Sequence, residues 1–449
     1  MPPPALTLTP DWVEENATEL ALTNAADAIR EVPVRASDPW LRRLFAFIGP
    51  GYLVAVGYMD PGNWATDLAG GSAYGYKLLW IVMASSFMAM LLQILSAKLG
   101  IVAGMDLAQL CRKHSSPRST ICQWLLCEVA ICACDIAEVI GTAIALKLLF
   151  NLPLAWGVAL TVLDVLVILW LQKCGFRYLE AFVISLLSLV FICFSINLLL
   201  SAPAWENVFS GFIPTSETVT NPGMLYLAIG IIGATVMPHN LYLHSSTVQT
   251  RNFPRTSRGK REAITFATVD IVIALCLALF VNAAILITSA AVFHAHGQHG
   301  IAELQDAYRL IGPLTGSTIA SFLFALALLA SGQSSSVTAT MAGQIVMEGY
   351  VNLKMSPWSR RLITRSLAII PALFVTLTCG EAGIGKLLLF SQVVLSLQLP
   401  FAMAPLIRFT SNKNIMGEFT NSRGMVVLAW ITMVVIVCLN VILIWKALF

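Results

Sequence analysis

The chain has 449 residues, a formal net charge of +3, 57% hydrophobic residues, 11% charged residues and a mean hydropathy of +0.79. Soluble domains carry roughly 25% charged residues, so there is too little polar surface here for a soluble globule, and an integral membrane protein remains. The lipid bilayer is therefore the first partner implied, and neither a nucleic-acid partner nor an obligate protein partner is expected.

Residues 1–40 are rich in Pro, Thr, Glu and Asp and have neither a basic start nor an apolar run fit for a signal peptide. They read as a cytosolic tail, largely disordered. Spanning a bilayer takes about 20 apolar residues. Such stretches fall near 46–70, 78–100, 119–148, 153–172, 179–200, 223–248, 263–293, 316–347, 361–378, 387–407 and 425–446, eleven in all. With the N-terminus cytosolic, all but Lys77, Lys147, Arg309, Lys386 and Lys446 of the 27 basic residues fall on the inner side. This bias orients the chain in a cell membrane with the C-terminus outside.

The first and sixth spans are each interrupted at mid-depth, at Met59-Asp60-Pro61-Gly62-Asn63 and Val236-Met237-Pro238-His239-Asn240. Proline removes a donor and clashes with the preceding turn, and glycine relaxes the chain, so both helices should unwind there and free backbone carbonyls. Within a bilayer, freed carbonyls persist only where they line a cavity or bind something. A carboxylate, an amide and a thioether beside them point to a metal cation. Corresponding breaks in two five-span halves are the pattern of an inverted-repeat secondary transporter. The expected units are a 1–40 tail, a 41–200 repeat, a 201–410 inverted repeat and a 411–449 segment carrying span eleven.

Asp60 is an ionisable group inside an apolar span, where insertion costs about 2.5–3.5 kcal/mol, so it needs a partner. Capping the following half-helix is the structural reading; the break and the Asn63 carboxamide favour a metal ligand. Met237 by composition is core filler, and its place at the matching break makes it a ligand candidate. Sulfur in the ligand set disfavours Ca²⁺ and Mg²⁺ relative to Mn²⁺, Fe²⁺ or Co²⁺.

Span three carries Glu128, Asp135 and Glu138 on one helical face. They read either as a salt-bridge network or, as carboxylate chains commonly do in membranes, as a proton relay, with Arg360 and Arg361 supplying counter-charge. His239 and His244, five apart, stand about 140° apart on a helix and do not form a two-histidine metal face. His294, His296 and His299 cluster after span seven and read as a solvated loop in preference to a metal vestibule. Asp164, Asp270 and Asn282 have a structural reading only. The ten cysteines form no CxxC pair. Cys132 and Cys134 point about 200° apart, so free thiols are expected.

Asp60-Pro61-Gly62-Asn63, Met237-Pro238-His239, Ser331-Gly332-Gln333-Ser334-Ser335-Ser336 through Gly343-Gln344, and Ser391-Gln392-Val393-Val394-Leu395-Ser396 resemble the Nramp divalent-metal transporters, also called proton-dependent manganese transporters. The resemblance runs from about residue 41 to the C-terminus, and the short tails look like those of a bacterial member. It implies an all-α, LeuT-like fold of eleven helices, with helices 1 and 6 discontinuous, that imports Mn²⁺ or Fe²⁺ with protons. By the same resemblance Ala234 and Gly57 offer carbonyls, Gln392 joins the site as it closes, His239 serves gating or proton passage, and Cd²⁺, Co²⁺ and Zn²⁺ are further substrates. No permanently bound cofactor is implied. The competing readings are a sodium-coupled amino-acid symporter of the same fold and a passive divalent channel. An enzyme is not expected, since neither HExxH nor GxSxG occurs.

Overall fold

The computed structural model describes residues 32–35, 37–351, 363, 366–367, 369–375, 377 and 382–448. Apart from one two-residue strand pair, the described chain is helical. After α1 (Trp40–Phe47), the first span is built from α2 (Pro50–Ala55), a 3₁₀ turn (Val56–Met59) and α3 (Pro61–Tyr74). Then follow α4 (Leu79–Ala103), α5 (Leu107–His114) and α6 (Pro117–Phe150). Next are α7 (Leu154–Leu160), α8 (Val162–Cys174) and α9 (Phe176–Leu200). The sixth span is α10 (Pro222–Thr235) with α11 (Pro238–Thr247). The rest comprises α12 (Ser257–Val292), α13 (Leu304–Thr315), α14 (Thr318–Val351), α15 (Ala382–Thr410) and α16 (Arg423–Leu448).

Among the described residues, eight helical segments are long and apolar enough to cross a bilayer. The protein is thus a multi-pass membrane protein. Ten of the eleven expected spans have a helical counterpart; of 361–378, residues 363, 366–367, 369–375 and 377 are described and are helical, whereas residues 1–31, Arg360 and Arg361 lie outside the described residues. The fourth span is the exception in form. Instead of one helix it is α7 and α8, separated at Thr161, whose hydroxyl donates to the Val158 carbonyl at 2.7 Å and so competes with the backbone ladder.

The end of the N-terminal segment is tied down. Val32–Pro33 (β1) pairs in parallel with Arg251–Asn252 (β2), directly after the sixth span. Beside it lies a buried ion pair, Arg251 Nη2 to Glu180 Oε1 at 2.7 Å, with both side chains at most 1% exposed. Arg177 adds a second contact to Glu180 at 3.1 Å and donates to the carbonyls of Phe45, Ala46 and Ile48, the exposed end of α1. Two guanidinium groups thus compensate one desolvated carboxylate and fasten the entry to the first span.

Around the broken helices stand long, continuous ones. Helix α6 packs on α14 and α15, and α12 packs on α2, α3 and α4, so both halves of the first span rest against α12. Close approach is set by small residues: a Cβ at Gly141 of α6 would overlap the Pro61 ring at the start of α3. The rigid frame thereby fixes where the first break lies.

Candidate metal site at the two helix breaks

Each break consists of an extended residue followed by a proline at the first position of a new helix. Asp60 (φ −65°, ψ 165°) precedes Pro61, and Met237 (φ −86°, ψ 124°) precedes Pro238. Pro fits the first helical position because its missing N–H would have no partner there anyway. Two half-helix N-termini therefore open into the interior, each carrying the positive end of a helix dipole.

Asp60 does two things at once. Its Oδ1 accepts from the Asn63 backbone at 2.8 Å and from the Asn63 carboxamide at 2.9 Å, capping α3 as the structural reading required. Its Oδ2 is fully buried and has no hydrogen-bond partner. The Asn63 carboxamide also donates to the Ala234 carbonyl at 3.2 Å, so one side chain joins the two breaks. Gln392 of α15 reaches the same place: a Cβ at Gly62 would overlap its carboxamide and come within 3.1 Å of Asp60 Oδ2. The Oε1 of Gln392 is likewise buried and unpaired. Gly57 lies against Asn240, whose carboxamide has no partner at either end, with Nδ2 2.5 Å from where a Gly57 Cβ would be.

Met237 is fully buried and packs with Cys134 and Ala130 of α6, Ala339 of α14 and Leu395 of α15. Asp60, Ala234, His239 and Gln392 are also at 0% exposure and Asn63 at 1%. Of the six residues expected to form the site, Asp60, Asn63, Ala234 and Gln392 are thus brought together at the first break, Gly57 lies against Asn240 of the second, and Met237 is buried among residues of α6, α14 and α15.

Of the residues expected to carry protons, Glu138 is fully buried and accepts from the Cys134 thiol at 3.5 Å. That thiol stands 3.8 Å from His239 Nε2, which brings His239 next to α6. Asp135 is buried beside Glu138, whereas Glu128 is half-exposed and accepts from the Trp124 indole at 2.9 Å. The three carboxylates share a face, but only two of them reach the interior layer. His244 donates to Gln93 Oε1 at 2.8 Å and is a hydrogen-bonded helix residue.

Several supports of the site carry no local signal. The Met59 carbonyl freed by the first break accepts from the Trp64 indole at 2.9 Å and from the Ser331 hydroxyl of α14. The Asn282 carboxamide donates to the Tyr58 carbonyl at 2.8 Å. Asp270 accepts from Gly49 N at 3.3 Å and Gly51 N at 2.7 Å, capping the other half-helix, α2. Asp164 accepts from Gln333 at 2.9 Å. Ser331 on α14 and Asp270 and Asn282 on α12 are far away in sequence and bond the backbone of the first span on either side of its break. Asp67, buried on α3 with its Oδ2 unpaired, was not singled out from sequence.

Among the described residues no group of three or more His, Cys, Asp or Glu side chains is placed to hold a metal ion. A cation at the breaks would meet one carboxylate, neutral oxygens and one sulfur. Such a set holds an ion and can still let it go.

An enclosed polar layer between two broken helices, framed by continuous ones, is the architecture of a membrane transporter with the LeuT-type fold. The structures of Mhp1, a nucleobase-cation-symport-1 family transporter (TM-score 0.58, 15% identity), and of MhsT in complex with L-phenylalanine (0.57, 16%) share that fold. A family model described as "Natural resistance-associated macrophage protein-like" matches residues 51–446, and the chain belongs to this family, Nramp. It is 59% identical to the "Divalent metal cation transporter MntH" of Mesorhizobium japonicum, over 93% of this chain and 92% of that one. It is 56% identical to the protein of the same name from Nostoc sp., over 92% and 93%. The structure of the Eremococcus coleocola manganese transporter superposes with a TM-score of 0.86 at 42% identity, covering 92% of this chain and 89% of that one. These relatives are named as transporters, not as enzymes.

Proposed function

We propose that this protein imports divalent transition-metal ions, Mn²⁺ or Fe²⁺ foremost, across the cell membrane together with protons, by alternating access to the layer between the two breaks. The observation that carries the reading is the buried, unpartnered Asp60 Oδ2, held beside Gln392 between two half-helix N-termini. A desolvated polar atom without a partner is rare in a folded protein, and a cation or a proton supplies what is missing. The names of the MntH relatives and of the manganese transporter structure support the same cargo.

Asp60 is the anionic ligand, Asn63 and the Ala234 and Gly57 carbonyls are neutral oxygen ligands, Met237 is the soft ligand, and Gln392 closes the site from α15. Arrival of a dication replaces the proton on Asp60, and Asp135 with Glu138 on α6 accept it, His239 standing between the two layers. Sodium-coupled amino-acid symport is disfavoured because nothing in that chemistry calls for a thioether beside the carboxylate. The N-terminus is cytosolic and the C-terminus external. Uptake of Mn²⁺ into proteoliposomes, with Fe²⁺, Cd²⁺, Co²⁺, Zn²⁺ and Ca²⁺ as competitors, tests the proposal: the transition metals compete and Ca²⁺ does not. Equal competition by Ca²⁺ contradicts it.

A further inference from the structure

Of the three histidines after α12, the fold brings two together. His294 Nδ1 and His299 Nδ1 are 3.1 Å apart, their ring centroids 4.6 Å, whereas His296 turns away to the Val292 carbonyl at 2.8 Å. His294 Nδ1 is also 2.9 Å from the backbone carbonyl of Ser72, on α3. A single N–H between these atoms serves one contact or shares itself weakly between two, and the remaining lone pairs face one another. A dication serves all of them. Two imidazole nitrogens bound to one metal at about 2.0–2.1 Å, with bond angles of about 90–110°, stand roughly 2.9–3.4 Å apart, which is the spacing found.

The loop that carries the pair is fastened to α3. Ser72 Oγ donates to the Gln298 carbonyl at 2.7 Å and accepts from Ile301 N at 3.0 Å, and Gln298 N bonds the Phe293 carbonyl at 2.9 Å. His294 packs on Gly75, where φ is +62° and a Cβ would lie 3.2 Å from its ring. The pair therefore sits on the C-terminal end of the helix whose other end is Asp60, about 20 Å away along 14 residues.

We propose that His294, His299 and the Ser72 carbonyl form a second metal site, separate from the breaks, that takes imidazole-preferring dications such as Ni²⁺, Co²⁺ or Zn²⁺ and clamps the 293–301 loop to the end of α3. The clamp resists displacement of α3, so occupancy slows turnover; this consequence, unlike the site itself, rests on the transport reading above.

Calorimetric titration of the purified full-length Asp60→Asn chain with Ni²⁺ alone examines the site without the carboxylate of the breaks. One Ni²⁺ binds per chain, and binding is lost when His294→Ala and His299→Ala are added. Titrations that do not differ between the two proteins overturn the site whether or not the chain transports metal. In proteoliposomes, the His294→Ala/His299→Ala variant keeps the basal Mn²⁺ uptake of the parent. Ni²⁺ lowers the maximal rate of the parent severalfold and in the variant only raises KM. An equal fall in maximal rate in both proteins overturns the clamp.

Discussion

Asp60 divides its carboxylate between a structural and a chemical task, and a conservative substitution separates the two. Asn caps a helix about as well as Asp, so Asp60→Asn keeps the cap on α3 and the fold. In the proposed site it removes the only anionic ligand. Interactions with a charged group are worth roughly 1.5–3 kcal/mol, so Mn²⁺ binding weakens by about 10- to 100-fold and uptake nearly vanishes, as radiotracer flux into vesicles would register. Flux near the parental rate would take Asp60 out of the site. Met237→Ala gives a different result. Water oxygen replaces sulfur, so Mn²⁺ uptake stays within a modest factor while Ca²⁺ or Mg²⁺ now enters; a variant that still excludes both would place selectivity elsewhere.

Outside the spans, Asp106 caps α5 by accepting from Gln109 N at 2.8 Å, and Gln109 returns a bond to Asp106 N. Burial raises its pKa from 3.8 to about 7 against the opposing backbone N–H groups of Gln109 and Ala108 and the charge of Arg112; Glu348 adds to the rise. The folded chain therefore holds this proton more tightly than the unfolded chain. Its stabilising contribution is complete below about pH 4 and is lost as pH rises to about 7. Asp106→Asn keeps the cap and removes the titration. Between pH 4 and 7 the thermal midpoint of the parent falls relative to that of the variant, measured in detergent; parallel profiles would refute this.

At the scale of elements, the proposed function assigns binding to the two broken helices and proton relay to α6. Asp135 and Glu138 lie on a helix separate from both breaks, so removing them damages coupling more than metal binding. Mn²⁺ entry and lumenal acidification, recorded together for Asp135→Asn and Glu138→Gln, show metal flux outlasting proton flux; a proportional fall in both would favour a purely structural network.

The breaks were legible in the sequence because proline and glycine act locally, and the proposed ligands lie directly beside the residues that unwind the backbone. Their supports were not, since Asp270 and Asn282 meet Gly51 and Tyr58 across 219 and 224 residues and look like isolated polar residues on an apolar helix. Ser331 was visible only as part of a motif, its bond to the Met59 carbonyl being tertiary. The split of the fourth span at Thr161 was hidden by unbroken hydrophobicity. Among the three histidines after α12, loop geometry rather than spacing decides that His294 meets His299 and His296 does not.

For the whole molecule, the proposed function sets one requirement: the enclosed layer must open to each side in turn while carrying one dication. Symmetric access from both sides would make a leak, and the lack of exposure at Asp60, Met237 and Gln392 agrees with a closed carrier state. The helices that frame the layer, α6, α12 and α14, are continuous, whereas the first and sixth spans are interrupted at their breaks. Rocking the broken pair against the frame is the motion this division permits.

The most direct measurement is Mn²⁺ uptake into proteoliposomes under an imposed pH gradient, with lumenal pH recorded in the same vesicles and Ca²⁺ in large excess outside. The account predicts saturable uptake that quickens when the outside is acidic, acidifies the lumen as metal enters and ignores Ca²⁺. Uptake that rises without limit with Mn²⁺, is indifferent to pH and leaves the lumenal pH unchanged would contradict it.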